Sequence, residues 1–536
     1  MGAFFLRNGV FIIVTLGLAA TIALSFFWLW TLYFLILFAP LFLVGVYDLF
    51  QTQRNVLRVY PIWAHWRYIL TSIRPMIQQY FIASNTSERP FSREQRELVY
   101  ERATKTLDTL PFGTQHDVDA VGYEWMAHSL APKVVDKAFS RISIGGPDCK
   151  KPYSASRLNI SAMSYGALSR TAVRALNLGA KLGNFYHNTG EGGLSRYHLM
   201  EGGDIVFQIG TAYFGCRTPE GGFDAEKFKE KANLDVVKMV EIKLSQGAKP
   251  SHGGLLPAAK ITKEISEIRN VPMGQDCLSP AAHSTFSTPE GLLKWLQQLR
   301  EMCGGKPVGF KLCIGSPSEF MGICKAMLST GILPDFITVD GAEGGTGAAP
   351  VEFTNRLGTP LNEGIIFVNN CLEGIGVRDK VRVIASGKII SGFDMASKIA
   401  LGADVCNSAR GMMLALGCLQ SRRCNKNDCP TGITSQDPVH YRAISISTKG
   451  PHVRNFHDAT LESFLEVIGA CGVENPSQLK PHHIYRRVAD AKALHYNEAY
   501  EQLRENQLVD GSDDLPKFYK ECWSYARADA FVYCGY

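Results

Sequence analysis

A chain of 536 residues, 46% of them hydrophobic, can bury a large core and is too long for one small domain. Its 56 basic and 50 acidic residues leave a formal charge of +6, and they form neither a basic block nor an arginine-aromatic stripe, which excludes nucleic acid as a partner. Fourteen cysteines diluted through such a length favour a reducing compartment and a metal centre over a disulfide scaffold.

From the amino end, residues 9–47 carry no charged side chain. One spanning helix needs about 20 apolar residues, so this stretch predicts two closely joined helices, near 9–26 and 28–47. Arg7 precedes the first, and Arg54, Arg58 and Arg67 follow the second, which places both flanks in the cytoplasm. The apolar stretch is much longer than the core of a cleaved secretory signal. The expectation is a two-helix membrane anchor over 1–50 with the catalytic part cytoplasmic. Residues 51–150 are charged, have helical spacing in "REQRELVYERATKTLDTL", and predict a helical linker and cap.

From about 155 to 410 the texture changes to short β-branched runs, each followed by a helical stretch. There are eight: "LNISAM" (158–163), "NFYHNTG" (184–190), "IVFQIG" (205–210), "MVEIKLS" (239–245), "VGFKLC" (308–313), "FITVDG" (336–341), "VRVIASG" (381–387) and "ADVCNSA" (403–409). Eight such units predict an α/β fold, a (β/α)8 TIM barrel over 151–436, with its site at the carboxyl ends of the strands. An open doubly wound sheet also alternates strands and helices, but no G-x-G-x-x-G follows the first strand. Residues 437–536 read as helical and amphipathic.

The polar and glycine-rich residues fall at those strand ends. Runs seven and eight lead into "ASGKIISG" and "SARGMM", where Gly387, Lys388 and Arg410 are candidates to hold a phosphate. After run six, "DGAEGGTGAAP" offers Gly344, Gly345 and Thr346 for a close backbone approach; a plain turn also needs glycine, and the place at a strand end favours the ligand. The fourth run, "EIKLSQGAKPSHGG", holds Lys243 inside an apolar strand and Lys249 beyond it, two cations able to stabilise charge on a flavin-type ring and to grip an acidic substrate. "NTGEGG" sets Glu191 in a tight loop, either a turn acid or a group that orients substrate and passes protons.

"GCLQSRRCNKNDCPTG" spaces Cys418, Cys424 and Cys429 as C-x5-C-x4-C with a proline after the last. Structural zinc prefers four ligands in closer pairs. Three thiolates suit an iron-sulfur cluster of the 3Fe-4S type; a 4Fe-4S cluster with Cys406 as fourth ligand is the chemical alternative. The run is too polar to be three unrelated core cysteines.

"SAMSYGALS", "NTGEGG", "IKLSQGAKP", "GGTGAAP" and the cysteine run stand in the order of one family. Together they resemble the FMN-binding synthase domain of glutamate synthases, and the whole chain resembles that family's shorter membrane-anchored members. The resemblance implies FMN, a 3Fe-4S cluster on Cys418, Cys424 and Cys429, and reductive synthesis of glutamate from 2-oxoglutarate and ammonia. By the same resemblance Met163, Ser164, Gln208 and Lys243 line the flavin, while Gly387 with Lys388 and Arg410 with Gly411 hold its phosphate. Glu191, Lys249 and Arg269 lie around 2-oxoglutarate, whose two carboxylates call for charge-assisted hydrogen bonds. Two positions depart from the family: His252 and Leu255 stand where it has an acidic residue and a glutamine. The family's amino-terminal glutaminase, with its leading cysteine, is not expected here, since the first cysteine of this sequence is Cys149. Free ammonia, another amine or ammonia from a separate protein is the expected nitrogen source. Electrons are expected from a ferredoxin-like carrier through the cluster to FMN. The rival expectations are an enzyme of the N-methylglutamate synthase type acting on another amine or 2-oxo acid, and a membrane-bound electron-transfer subunit with no substrate of its own.

Overall fold

The computed structural model describes residues 2–534, so Met1, Gly535 and Tyr536, the ends of the expected anchor and carboxyl-terminal regions, lie outside it. The chain forms two compact units that divide between Arg93 and Glu94. In the first, α1 (Gly2–Ser25) turns through a 3-10 segment, Leu29–Phe34, into α2 (Leu35–Phe50). The two run antiparallel: the Phe11 and Phe42 rings stack with centroids 5.7 Å apart, and Gly17 lies under Phe38 as Gly45 lies under Phe11. A Cβ on either glycine would fall within 2.6 Å of those rings, so small residues set the close approach. Arg7–Ser25 and Leu29–Phe50 are long and apolar enough to cross a bilayer, and Ile13, Leu16, Ile36 and Leu43 are exposed on them. After a short helical turn at Asn55–Val59, the longer α3 (His65–Ile77) follows in the same unit.

The second unit is built on a closed barrel of eight parallel strands. They are β1 (Leu158–Ile160), β2 (His187–Asn188), β3 (Ile205–Ile209), β4 (Val237–Lys243), β5 (Val308–Leu312), β6 (Phe336–Asp340), β7 (Arg382–Ser386) and β8 (Val405–Ser408). Each expected run supplies one strand, in order, and closure is made where Cys406 of β8 pairs with Leu158 of β1. The intervening helices start on ordinary signals: Ser169 and Thr288 cap theirs, and Ser391 with Asp394 forms a capping box.

An antiparallel hairpin, Arg141–Ile144 with Tyr153–Ser156, closes the amino-terminal end of the barrel. Its Ile144, Tyr153 and Ala155 join Tyr186, Val206, Met239, Phe336, Ile384 and Val405 in one buried cluster. Apolar side chains thus fill the barrel interior at that end, while the glycine-rich strand ends lie at the opposite mouth. The carboxyl-terminal region is helical through Ile446–Ala470, which packs on Arg170–Gly183 where Gly179 meets Val453 and Gly450 meets Leu178. Beyond it the expected helical texture gives way to a hairpin, Ile484–Ala489 with Lys492–His495, whose first strand also pairs with Glu124–Met126. The pairing partner lies some 360 residues upstream, beyond the reach of any local pattern.

Candidate active site

The barrel mouth is assembled from glycines at positions where no side chain fits. In "NTGEGG", Gly190 and Gly193 take left-handed φ values of 64° and 85°, and a Cβ on Gly190 would stand 2.7 Å from the Ser164 backbone nitrogen. The Glu191 loop is thereby laid on the Met163–Ser164 loop. Gly210 and Gly254 leave space for the Glu191 side chain, and Gly166 and Gly192 flank the Arg269 guanidinium.

Glu191 Oε2 is 2.9 Å from Lys243 Nζ. Burial pushes the Glu191 carboxyl up, but Lys243, Lys249 and Arg269 outweigh it and hold the group below its ordinary range. Burial lowers Lys243, reinforced by the like charge of Lys311 and opposed by Glu191. Lys249 is lowered to about 8, chiefly by burial, with Glu191 acting in the other direction. Arg269 donates to the Tyr165 carbonyl (3.0 Å) and lies over the Phe214 ring, while its Nε is buried without a hydrogen-bond partner. Three cations therefore converge on one carboxylate, an excess of positive charge that suits an acidic ligand.

Gln208 is held by a group that sequence inspection missed. Glu241, 1% exposed, accepts from Gln208 Nε2 (2.6 Å) and Asn188 Nδ2 (2.8 Å) on one oxygen and from Thr338 Oγ1 (2.7 Å) on the other. A carboxylate offers only acceptors, so the Gln208 amide nitrogen must face it and the amide oxygen is left for a ligand. The signal was present in "MVEIK": Glu241 stands two residues before Lys243 and so projects from the same face of β4.

The other mouth loops are fitted together as closely. Gly247 donates to Asp340 Oδ2 (2.9 Å), and a Cβ there would stand 1.7 Å from the Gly341 carbonyl oxygen. Arg410 donates to the Glu343 carbonyl (2.8 Å) and passes beneath Gly345, whose Cβ would be 2.9 Å from the guanidinium, so this arginine straps the Gly344–Thr346 loop. Lys388 takes a left-handed φ of 51° directly after Gly387 (φ 155°) at the end of β7, and Gly411 packs on the Ser408 hydroxyl at the end of β8. Gly387, Lys388, Arg410 and Gly411 thus sit at the ends of β7 and β8.

The three thiols lie in one loop that is stitched to this mouth. Gln436 donates to the Gly166 and Leu168 carbonyls, and Asn427 donates to the Ala259 carbonyl. Lys260, 1% exposed and also missed in the sequence, donates to the Ala167 (2.8 Å) and Cys424 (3.1 Å) carbonyls and so joins the two loops. Cys418, Cys424 and Cys429 share this one loop, and among the described residues no three Cys, His, Asp or Glu side chains converge tightly enough to hold a metal ion. Burial raises the Cys418 thiol to about 11; at Cys429 the hydroxyls of Thr431 and Thr434 overcome burial and lower it. Thiols are the donor set an iron-sulfur cluster uses. Cys406 is fully buried among Arg157, Asp394 and Lys398, apart from this loop.

A cavity of ≈ 440 Å³, counted with its open mouth, is bordered by Ser164, Glu191, Lys249, Arg269, Thr346 and Cys424. Glu191 also borders a second cavity of ≈ 250 Å³ with Lys243 and His252. His252 packs edge-on against Phe353 (5.1 Å), and Leu255 lines the larger cavity, so the two positions that depart from the motif present an imidazole and an apolar side chain.

Residues 130–474 match the family described as the conserved region in glutamate synthase. The chain is 36% identical over 493 residues to the glutamate synthase large subunit-like protein YerD of Bacillus subtilis, covering 84% of this chain and 94% of that protein. It is 32% identical over 361 residues to the archaeal glutamate synthase (NADPH) of Methanocaldococcus jannaschii, covering 67% of this chain and 66% of that one. Among solved structures it is similar to a flavocytochrome b2 variant with benzoylformate, with a TM-score of 0.41 at 12% identity, covering 81% and 91% of the two chains.

Proposed function

Because this chain belongs to the glutamate synthase family, we propose that it is an FMN- and iron-sulfur-dependent oxidoreductase that reductively aminates 2-oxoglutarate, with ammonia as nitrogen donor, at the cytoplasmic face of a membrane spanned by α1 and α2. The observation that carries this reading is the shared cavity: Cys424 from the thiol loop and the Glu191, Lys249 and Arg269 cluster border one space.

When bound, FMN supplies hydride to the imine carbon and the cluster passes it single electrons. Lys243 and Gln208 fit the polar edge of its ring, one as a cation and the other through an amide oxygen that Glu241 turns outward. Gly387, Lys388, Arg410 and Gly411 fit its phosphate at the strand ends. Lys249 and Arg269 hold the carboxylates of the 2-oxo acid. Glu191, kept ionised by its cationic neighbours, relays two protons from the amine nitrogen to the former carbonyl oxygen, one as the carbinolamine forms and one as its hydroxyl leaves as water. Lys260 and Gln436 hold the Cys418, Cys424 and Cys429 loop against the mouth, where a cluster on those thiols would pass electrons to the flavin. The archaeal relatives are named for NADPH; the direct donor proposed here is a one-electron carrier of the ferredoxin type, because a cluster takes electrons singly.

His252, Phe353 and Leu255 favour a second reading, in which a substituted amine or a related 2-oxo acid replaces the ordinary pair. Anaerobic purification followed by cofactor extraction, absorbance and EPR spectroscopy tests the two centres, and reoxidation of the reduced protein tests the substrates. Oxidation by 2-oxoglutarate with ammonium supports the first reading; oxidation only by members of an amine panel supports the second. If no small acid perturbs the flavin spectrum, the protein is an electron-transfer subunit and both readings fail.

A further inference from the structure

Residues 49–87 contain Arg54, Arg58, Arg67 and Arg74 and no acidic residue. Within this stretch α3 continues through a π-helical segment, Gln78–Ile82, and none of its residues is buried. Its apolar side chains are nevertheless ordered: Trp66, Leu70, Ile73, Ile77 and Phe81 recur at helical spacing, with Ile69 and Tyr80 beside them. Trp66, Leu70 and Phe81 are 55%, 53% and 84% exposed. Arg67, Thr71, Arg74 and Gln78 form the adjoining polar stripe. A solvated helix gains nothing from such a stripe, whereas an aromatic-rich apolar face beside arginines matches the boundary between lipid headgroups and acyl chains.

The start of this helix is fixed to the end of α2. Asp48, fully buried, accepts from the Ile62 backbone nitrogen (2.8 Å) and lies 2.9 Å from His65 Nε2. Ile62 itself has a left-handed φ of 65°, which a β-branched residue adopts only where its surroundings impose it. The turn at the end of α2 is therefore built, and it places the striped helix next to the terminus of an apolar span.

We propose that α3 and its continuation to Ile82 form an in-plane membrane helix, its apolar stripe sunk into the anionic cytoplasmic leaflet and its arginines on lipid phosphates. This rests on α1 and α2 spanning the bilayer. Charge complementarity selects lipid over a second copy of the chain, since two copies would bring Arg67 and Arg74 against their like.

The full chain is reconstituted into vesicles of phosphatidylcholine and phosphatidylglycerol carrying bromine either near the headgroup end or near the methyl end of the acyl chains. Shallow bromine is expected to quench wild-type tryptophan emission more than that of the W66F variant, with no such excess for deep bromine. The I69E/I73E variant is expected to lose the excess, and vesicles of phosphatidylcholine alone to reduce it at least twofold. An unchanged excess in neutral vesicles overturns the anionic preference. No excess, in protein that still floats with vesicles after an alkaline carbonate wash, overturns the proposal while α1 and α2 stand as spans. Protein that washes off overturns both. No excess together with conversion of a dimer to a monomer by I69E/I73E in detergent identifies the stripe as a self-association face.

Discussion

Replacing Glu241 by alanine is expected to weaken the barrel and, under the proposed function, to release the flavin with it, because one buried carboxylate would serve both. The change removes the acceptor from Asn188 Nδ2, Gln208 Nε2 and Thr338 Oγ1, which now lie 2.8, 2.6 and 2.7 Å from it. A buried donor left unpaired costs about 1–3 kcal/mol. The Thr338 hydroxyl can rotate to another acceptor, so the two amides dominate and the sum is about 3–5 kcal/mol. At about 2 °C per kcal/mol for a domain of this size, the apparent melting temperature should fall by about 6–10 °C. Glu241→Gln keeps one oxygen to accept from Asn188 and Gln208 and can donate to Thr338, so it should lose no more than about 2 kcal/mol. Melting of the detergent-solubilised protein is followed by intrinsic fluorescence, with released flavin read separately after mild heating. An alanine variant that melts within about 1 °C of wild type and retains its flavin refutes the argument that Glu241 organises Gln208 and the barrel interior.

Single Cys418→Ser, Cys424→Ser and Cys429→Ser variants should each lose the cluster's EPR signal and most of the bound iron, whereas Cys406→Ser should keep both; iron loss in the Cys406 variant would restore it as a ligand. Affinity for 2-oxoglutarate should be flat below pH about 8 and fall by up to tenfold per pH unit above it, because Lys249 loses the proton that makes it a carboxylate partner. Flavin-monitored titration tests this, and Lys249→Met should weaken binding and abolish that limb of the profile. Gly247→Ala cannot be accommodated without moving the Gly341 carbonyl, 1.7 Å from the new Cβ, and should lower flavin retention at least tenfold by equilibrium dialysis. Lys260→Met removes the ammonium whose two hydrogen bonds join the Ala167 and Cys424 carbonyls; faster limited proteolysis within 419–428 and an altered cluster EPR line shape are the expected results, with the Lys260→Arg variant closer to wild type.

Much of this architecture is carried by neighbours in the chain. Each of the eight runs is a few β-branched or apolar residues bounded by turn formers, and hydrogen bonding in a strand-helix unit responds to that local pattern. The apolar stretch of α1 and α2, the thiol spacing and the glycines of "NTGEGG" are equally local. The closed order of the strands followed because such units have few ways to join. What the local pattern could not convey is who faces whom. Ile484–Ala489 lies in a region of helical texture and is the middle strand of three, paired with Lys492–His495 beside it and with Glu124–Met126 far upstream.

The same limit governs the site. Lys243, Lys249 and Glu191 were legible as types at strand ends, and Arg269 only through family resemblance. Glu241 and Lys260 went unnoticed, the first inside a run read as a strand. Their roles exist only after closure brings Asn188, Gln208 and Thr338 around one carboxylate and sets Ala167 beside Cys424. Sequence alone determined the elements and the kinds of group at their ends, since backbone pairing and turn chemistry act over a few residues. Tertiary structure decided which of those groups meet, because burial and charge act through space, and the distances that set them arise from packing of segments remote in the chain.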